Sequence, residues 1–108
     1  METSTEKRKS PRFKVNCPVS FICFDKLKLG EVVDLGPGGM KIESRYILFA
    51  GEIYDFMVVI DGQAIPSRGK VVYSENRPEF TYGIGVSFLK IPEDIQSKLT
   101  AFLSACQS

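Results

Sequence analysis

The sequence predicts an all-β protein, about six antiparallel strands forming a barrel, followed by one terminal α-helix. Three observations carry this expectation. Apolar and polar residues alternate with period two in short segments between Phe13 and Phe88. These segments are joined by short turn signals, of which Gly36-Pro37-Gly38-Gly39 and Asp61-Gly62 are the strongest. The period becomes helical only after Pro92. Strands with hairpin-type links and a single helix favour an antiparallel barrel, with the helix across an end or a seam.

The elements follow in order. Residues 1–12 are polar and end near Ser10-Pro11, which disfavours helix, so they read as a flexible basic arm. Residues 13–108 then form one domain. In the first strand Phe13, Val15, Cys17, Val19, Phe21 and Cys23 share one face, and Lys14, Asn16, Pro18 and Ser20 share the other. Pro18 cannot donate to a ladder, which places an edge or a bulge there. A turn near Asp25-Lys26 leads to a strand over Lys28–Leu35, and the glycine-rich break is followed by a short strand over Met40–Glu43. Arg45–Gly51 is a connection with a turn at Ala50-Gly51. Glu52–Ile60 and Gln63–Tyr73 form a hairpin about Asp61-Gly62, and Ser74–Glu79, polar and containing Pro78, reads as a loop. In Phe80–Phe88, Tyr82, Ile84, Val86 and Phe88 face one way, and Thr81, Gly83, Gly85 and Ser87 the other. Pro92 suits a first helical position, with Glu93 and Asp94 in the first turn. Ile95, Leu99, Phe102, Leu103 and Cys106 then form one stripe of a helix over about residues 91–105.

Composition narrows the function. At 108 residues, 44% of them hydrophobic, the chain suits one domain with a core of its own. The net charge of +1 gives no global field toward nucleic acid or membrane, although Lys7, Arg8, Lys9, Arg12 and Lys14 cluster without an acid among them. Histidine is absent, which removes the commonest general base and the imidazole metal ligand. No metal-ligand cluster or nucleophile–base pair is visible, so an enzyme is not expected. Cys17, Cys23 and Cys106 form no CxxC pair, the N-terminus lacks an apolar export core, and no apolar run approaches the roughly 20 residues of a membrane helix. A soluble cytoplasmic protein without membrane insertion is the expectation. Cys17 and Cys23 read as packed thiols. Phe80 and Tyr82 suggest a stacking surface for single strands, but no basic residues interleave with them, so nucleic acid is not the expected partner. Arg68 and Lys70, two apart on one strand face, are candidates to add positive charge to a ligand site.

Two signatures carry the chemistry. Arg8 and Arg12 stand four apart in the arm, and an arginine fork binds phosphate bidentately, stacks on a base or reads a guanine edge. Asp34-Leu35-Gly36-Pro37-Gly38-Gly39 closes a strand. Its glycines permit positive φ and close backbone approach, and Asp34 can accept hydrogen bonds from guanine N1–H and N2–H₂. Alone, the first is also a solvated arm and the second also an ordinary β-turn. The turn is neither a P-loop nor a dinucleotide fingerprint, because no Gly-Lys-Ser/Thr follows it and strand rather than helix comes next.

In their order and spacing the two signatures resemble the PilZ domain family: Arg8-x-x-x-Arg12, an alternating strand, then Asp34-x-Gly36-x-x-Gly39 opening Met-Lys-Ile. Gly69-Lys70-Val71-Val72-Tyr73, Tyr82-Gly83-Ile84-Gly85-Val86-Ser87-Phe88 and Ile91-Pro92-Glu93-Asp94 are similar to later segments of that family. The resemblance covers about residues 7–104. It implies a six-stranded antiparallel split barrel with a C-terminal helix. It also implies a bacterial receptor for the second messenger cyclic di-GMP, with no further cofactor and a downstream protein partner. The implied ligand residues are Arg8, Arg12, Asp34, Gly36 and Gly39, with Lys7, Lys9, Gly38 and Lys41 as additional candidates. Ligand binding would order the arm against the barrel and create a partner surface. The family serine falls on Gly36, which removes one hydroxyl worth about 1 kcal/mol. That departure motivates the alternative of a PilZ-like adaptor that binds protein without nucleotide.

Overall fold

The computed structural model describes residues 12–90 and 93–107. The alternating segments form β1 (Phe13–Cys23), β2 (Lys26–Gly36), β3 (Gly39–Ser44), β4 (Ile53–Ile60), β5 (Gln63–Arg77) and β6 (Thr81–Lys90), followed by helix α1 (Glu93–Gln107). Every neighbouring pair is antiparallel, and the sheet closes into a barrel in the order β1-β2-β3-β6-β5-β4. Period-two patterning sends one side of each strand inward. Val19, Phe21, Val32, Met40, Ile42 and Ile84 are buried, and Phe21 meets Phe56 edge to face at 5.9 Å between centroids.

The chain's turns use the backbone that two-residue hairpins demand. Asp61 and Gly62 have φ of 52° and 76°, matching the twist of β4 and β5. Phe24 and Asp25 do the same between β1 and β2 with φ of 53° and 63°, so that turn lies one residue earlier than the sequence suggested. Pro18 lies opposite Glu31, just past a bulge at Lys14–Cys17 and one residue before the β4 ladder begins at Val19, so it stands where β1 is not yet paired to β4.

The expected loop over Ser74–Glu79 is mostly strand. β5 continues to Arg77, with Asn76 opposite Tyr82 and Arg77 opposite Thr81, and only Pro78–Phe80 turns, as a single 3₁₀ turn. The cause is a β-bulge between Val71 and Tyr73. One extra residue, Val72, reverses the parity of the strand, so its polar residues face outward where ion pairs hold them. Phe80, expected within the last strand, sits in the turn with φ of 61° and is exposed.

At one end of the barrel the connection between β3 and β4 folds inward. The Gly51 N–H donates to the Val71 carbonyl (2.7 Å), and the Val71 N–H donates to the Glu52 carbonyl (2.9 Å). The Tyr46 N–H donates to the Ser44 hydroxyl (2.8 Å), and the Lys28 ammonium lies 4.3 Å from the Tyr46 ring centroid. These bonds insert Leu48 into the core, where it is fully buried. Burial, then the charges of Cys23 and Glu52, raise the Tyr54 phenol above its ordinary value, opposed by a hydrogen bond with the Phe49 backbone. At the other end α1 buries Leu99 and packs Phe102 on the core beside Ile60 and Ile65. Ile91, Pro92 and the side chains of Ile95, Leu103 and Cys106 lie outside the described residues. Leu48→Ala should cost about 2–5 kcal/mol, because the loop that carries it has no other fully buried side chain, and urea unfolding measures this directly.

Candidate functional site

Register along the sheet decides which side chains meet on the outer wall. Lys14 opposes Asp34, Asp34 opposes Lys41, Lys41 opposes Gly85 and Gly85 opposes Tyr73. This row crosses five strands. Beside it Gly36 opposes Gly39, Gly39 opposes Ser87 and Ser87 opposes Lys70. Asp34 joins the row because a bulge between Val32 and Asp34 turns it outward while Val32 and Leu35 stay buried.

Arg12 and Gly39, 27 positions apart, are brought together. A Cβ built on Gly39 would lie 3.2 Å from the Arg12 Nη2, so the guanidinium rests over a bare backbone. The same Cβ would lie 2.3 Å from the Val86 carbonyl oxygen. Gly39 is therefore required for the close approach of β3 to β6. Of the two properties read from the turn glycines, close backbone approach holds at Gly39, whereas positive φ does not occur at Gly38 or Gly39. Gly51 and Gly62 are the described glycines with left-handed backbone, and Gly38 and Gly39 are not among them. Gly38 has open space at its α-carbon and accepts a hydrogen bond from the Phe88 N–H (2.9 Å). Gly36 is buried at the end of β2.

The wall of β6 is floored by glycine and covered from β5. The Tyr73 ring lies flat over Gly85, where a Cβ would come within 2.2–2.6 Å of three ring atoms. Over Gly83 lie Arg77 and Glu75, which pair at 2.9 Å. Arg77 also reaches Glu43 (3.7 Å), and Glu75 reaches the Lys41 ammonium (3.5 Å). Lys41, a candidate from the sequence, thus sits between the Asp34 register position and Glu75. Tyr73, Glu75 and Arg77 were missed, and one signal pointed to them: two glycines on the outer face of one strand leave room for side chains lying flat.

Other candidates separate from this wall. Arg68 binds Asp55 through Nε (3.0 Å), and that hydrogen bond raises the Arg68 pKa. It lines a different groove with Ser20 and Met57 and adds nothing beside Gly39. Lys70 alone of that pair shares a row with Gly39, through Ser87. Tyr82 packs against the core, so Phe80 and Tyr82 do not form one stacking surface. Cys17 and Cys23 are buried thiols, as expected. Lys7, Arg8 and Lys9 lie outside the described residues. Among the described residues, no group of three or more His, Cys, Asp or Glu could hold a metal ion, and no helix is long and apolar enough to cross a membrane.

The fold is a closed six-stranded antiparallel barrel with a C-terminal helix. The chain belongs to the PilZ domain family, whose model matches residues 6–105. Solved structures share the fold. The PilZ domain of YcgR from Escherichia coli, solved with c-di-GMP, has a TM-score of 0.76 at 14% identity, covering 91% of this chain and 90% of that one. MotI/DgrA, an inhibitor of motility from Bacillus subtilis, has a TM-score of 0.77 at 15% identity, with coverage of 92% and 49%. The MrkH–c-di-GMP complex of K. pneumonia has a TM-score of 0.73 at 16% identity, with coverage of 89% and 50%. The chain thus spans about half the length of MotI/DgrA and of MrkH. No curated protein matches it. Because Gly39 is needed for strand approach whether or not a ligand is present, Gly39→Ala should lower stability by about 1–3 kcal/mol in ligand-free protein, read from the thermal or urea midpoint.

Proposed function

We propose that this chain is a receptor for cyclic di-GMP, bound on the outer wall where β2, β3 and β6 meet. The observation that carries the reading is the Arg12 guanidinium over Gly39, next to the row Asp34–Lys41–Gly85–Tyr73. Cyclic di-GMP is a dianion with two guanine bases. Such a ligand needs arginine forks for phosphate, an acceptor for the guanine N1–H and N2–H₂, and flat ground for a purine ring. Arg12 and Arg8 supply the first, Asp34 the second, and the glycine-floored wall with the Tyr73 ring the third. Lys41 adds a cation, and Lys7, Lys9 and Gly38 are further candidates for ligand contact. Titratable groups here serve to bind, and no chemical step is needed. Ligand held between arm and wall would join two parts of the chain and create a surface for a protein partner.

Isothermal titration with cyclic di-GMP tests the reading. Saturable binding at physiological salt is expected, and folded protein giving no heat would remove the ligand from the account. Arg12→Ala should weaken binding by about 10- to 100-fold, the loss of charge-assisted hydrogen bonds, and change stability by less than about 0.5 kcal/mol.

Gly36 favours a second reading, an adaptor that contacts protein without nucleotide. The two separate on Gly36→Ser. If the site is otherwise intact, the restored hydroxyl should tighten binding about five- to tenfold. A folded Gly36→Ser variant with unchanged affinity would count against this view of the turn.

A further inference from the structure

We propose that the outer face of the β1–β4 seam is a self-association surface, on which a second copy of this chain docks the Phe24 ring of its β1–β2 turn. The seam is the thinnest in the barrel. β1 and β4 pair only over Val19–Phe21 and Phe56–Val58, whereas the β4–β5 ladder runs from Ile53 to Ile60. Beyond Phe21 the two strands separate and leave a groove of about 470 Å³, lined on its outer side by Ser20, Ile22, Leu27, Met57 and Pro66. The Ser67 hydroxyl in its wall is buried and makes no hydrogen bond. The paired strands of this face present their side chains outward, so docking here is through side chains.

The groove lies within a continuous apolar face. Leu29 opposes Ser20, Ser20 opposes Met57 and Met57 opposes Pro66, while Ile22 opposes Leu27 in the next row. Ile22 is 53% exposed, Phe24 85%, Leu27 64%, Leu29 67% and Met57 40%. At roughly 200 Å² for a large side chain, this face leaves about 600 Å² bare, the upper limit for an ordinary monomer. Paired with itself it would bury about 1,200 Å², where stable interfaces begin.

Phe24 supplies the element that fits the groove. A two-residue hairpin turn with φ above zero at both positions favours Asn-Gly, and here it holds Phe24 and Asp25 at 53° and 63°. The chain thus accepts backbone strain in order to present a phenyl ring to solvent beside an apolar groove. Twofold symmetry makes the two features complementary. With the axis at the Ile22–Leu27 pair, antiparallel β1 strands place Phe24 of one copy over Ser20 of the second, the residue where the groove begins. The Asp55–Arg68 ion pair at the rim carries both signs and can be exchanged between copies. In the strand order this seam is opposite the β3–β6 seam that carries Gly39 and Lys41, so both faces can be occupied at once.

Sedimentation of the full chain from about 1 to about 200 µM tests this. The mass should rise from 12.1 kDa toward twice that value. Leu27→Glu places two carboxylates near the axis and should hold the chain monomeric. Phe24→Asn, which suits the turn, should weaken association at least about tenfold without lowering the thermal midpoint of dilute protein. A wild-type mass of 12.1 kDa at every concentration overturns the proposal, as does either folded variant associating like wild type. Monomeric wild type that sediments with phosphatidylglycerol vesicles would instead assign the face to lipid.

Discussion

The pairing of β3 with β6 is the constraint on which the molecule depends. It joins strands that are not consecutive in the chain and so closes the barrel. Its first residue pair, Gly39 with Ser87, brings the two backbones so close that a single Cβ would meet the Val86 carbonyl oxygen. The Phe88 N–H then binds the Gly38 carbonyl and fixes the turn before β3. The loss of loop entropy that a long-range pairing entails is offset by burial of Met40, Ile42, Ile84 and Val86 between the same two strands. The structural role of Gly39 and its place in the proposed site therefore share one cause. A backbone bare enough to pack against β6 is also bare enough for the Arg12 guanidinium to lie over it.

Bulges decide what stands on this wall. Without Val72 as an extra residue, Tyr73, Glu75 and Arg77 would point inward, and the wall of β6 would be uncovered glycine. With it, an ion-pair network spans β3 and β5 above Gly83. Its members are a quarter to a half exposed, so each pair contributes at most about 1 kcal/mol to stability. Its larger effect is electrostatic. Lys41 faces Glu75 and neighbours Asp34, so this lysine of the central row is already compensated by carboxylates. Binding of a dianion in the proposed site then draws chiefly on the arginines at the start of β1.

Strand number, strand order along the chain, inward faces and the Asp61-Gly62 hairpin were legible because period-two patterning and turn chemistry are local. The Arg12–Gly39 meeting was legible only through family resemblance, since a separation of 27 positions carries no local signal of proximity. Ser74–Arg77 was misread for a physical reason. A bulge reverses parity without marking the composition, and polar residues held by cross-strand ion pairs look like a loop in one dimension. The turn glycines were read in part, for close approach but also for a positive φ that Gly38 and Gly39 do not adopt. Gly39 is required by a neighbour strand distant in sequence, whereas conformational freedom is the property a sequence suggests first. Tyr73 was visible only as the end of a β-branched run, and its position over Gly85 depends on the same bulge.

The spacing of the arm arginines fits this wall in length. Four residues of extended chain span at most about 14 Å, and neighbouring strands lie about 4.8 Å apart. Arg12 immediately precedes β1, whose first residue Phe13 opposes Leu35 on β2, and an arginine four positions earlier has about three strand spacings of reach from there, enough for a ligand beside Asp34. Ordering those residues costs on the order of 1–2 kcal/mol each, which a few charge-assisted bonds to phosphate can offset and neutral contacts cannot. For the receptor reading proposed above, an anion bridging the arm to the wall is what would offset that ordering cost. The rigid glycine floor costs no further ordering when the ligand arrives.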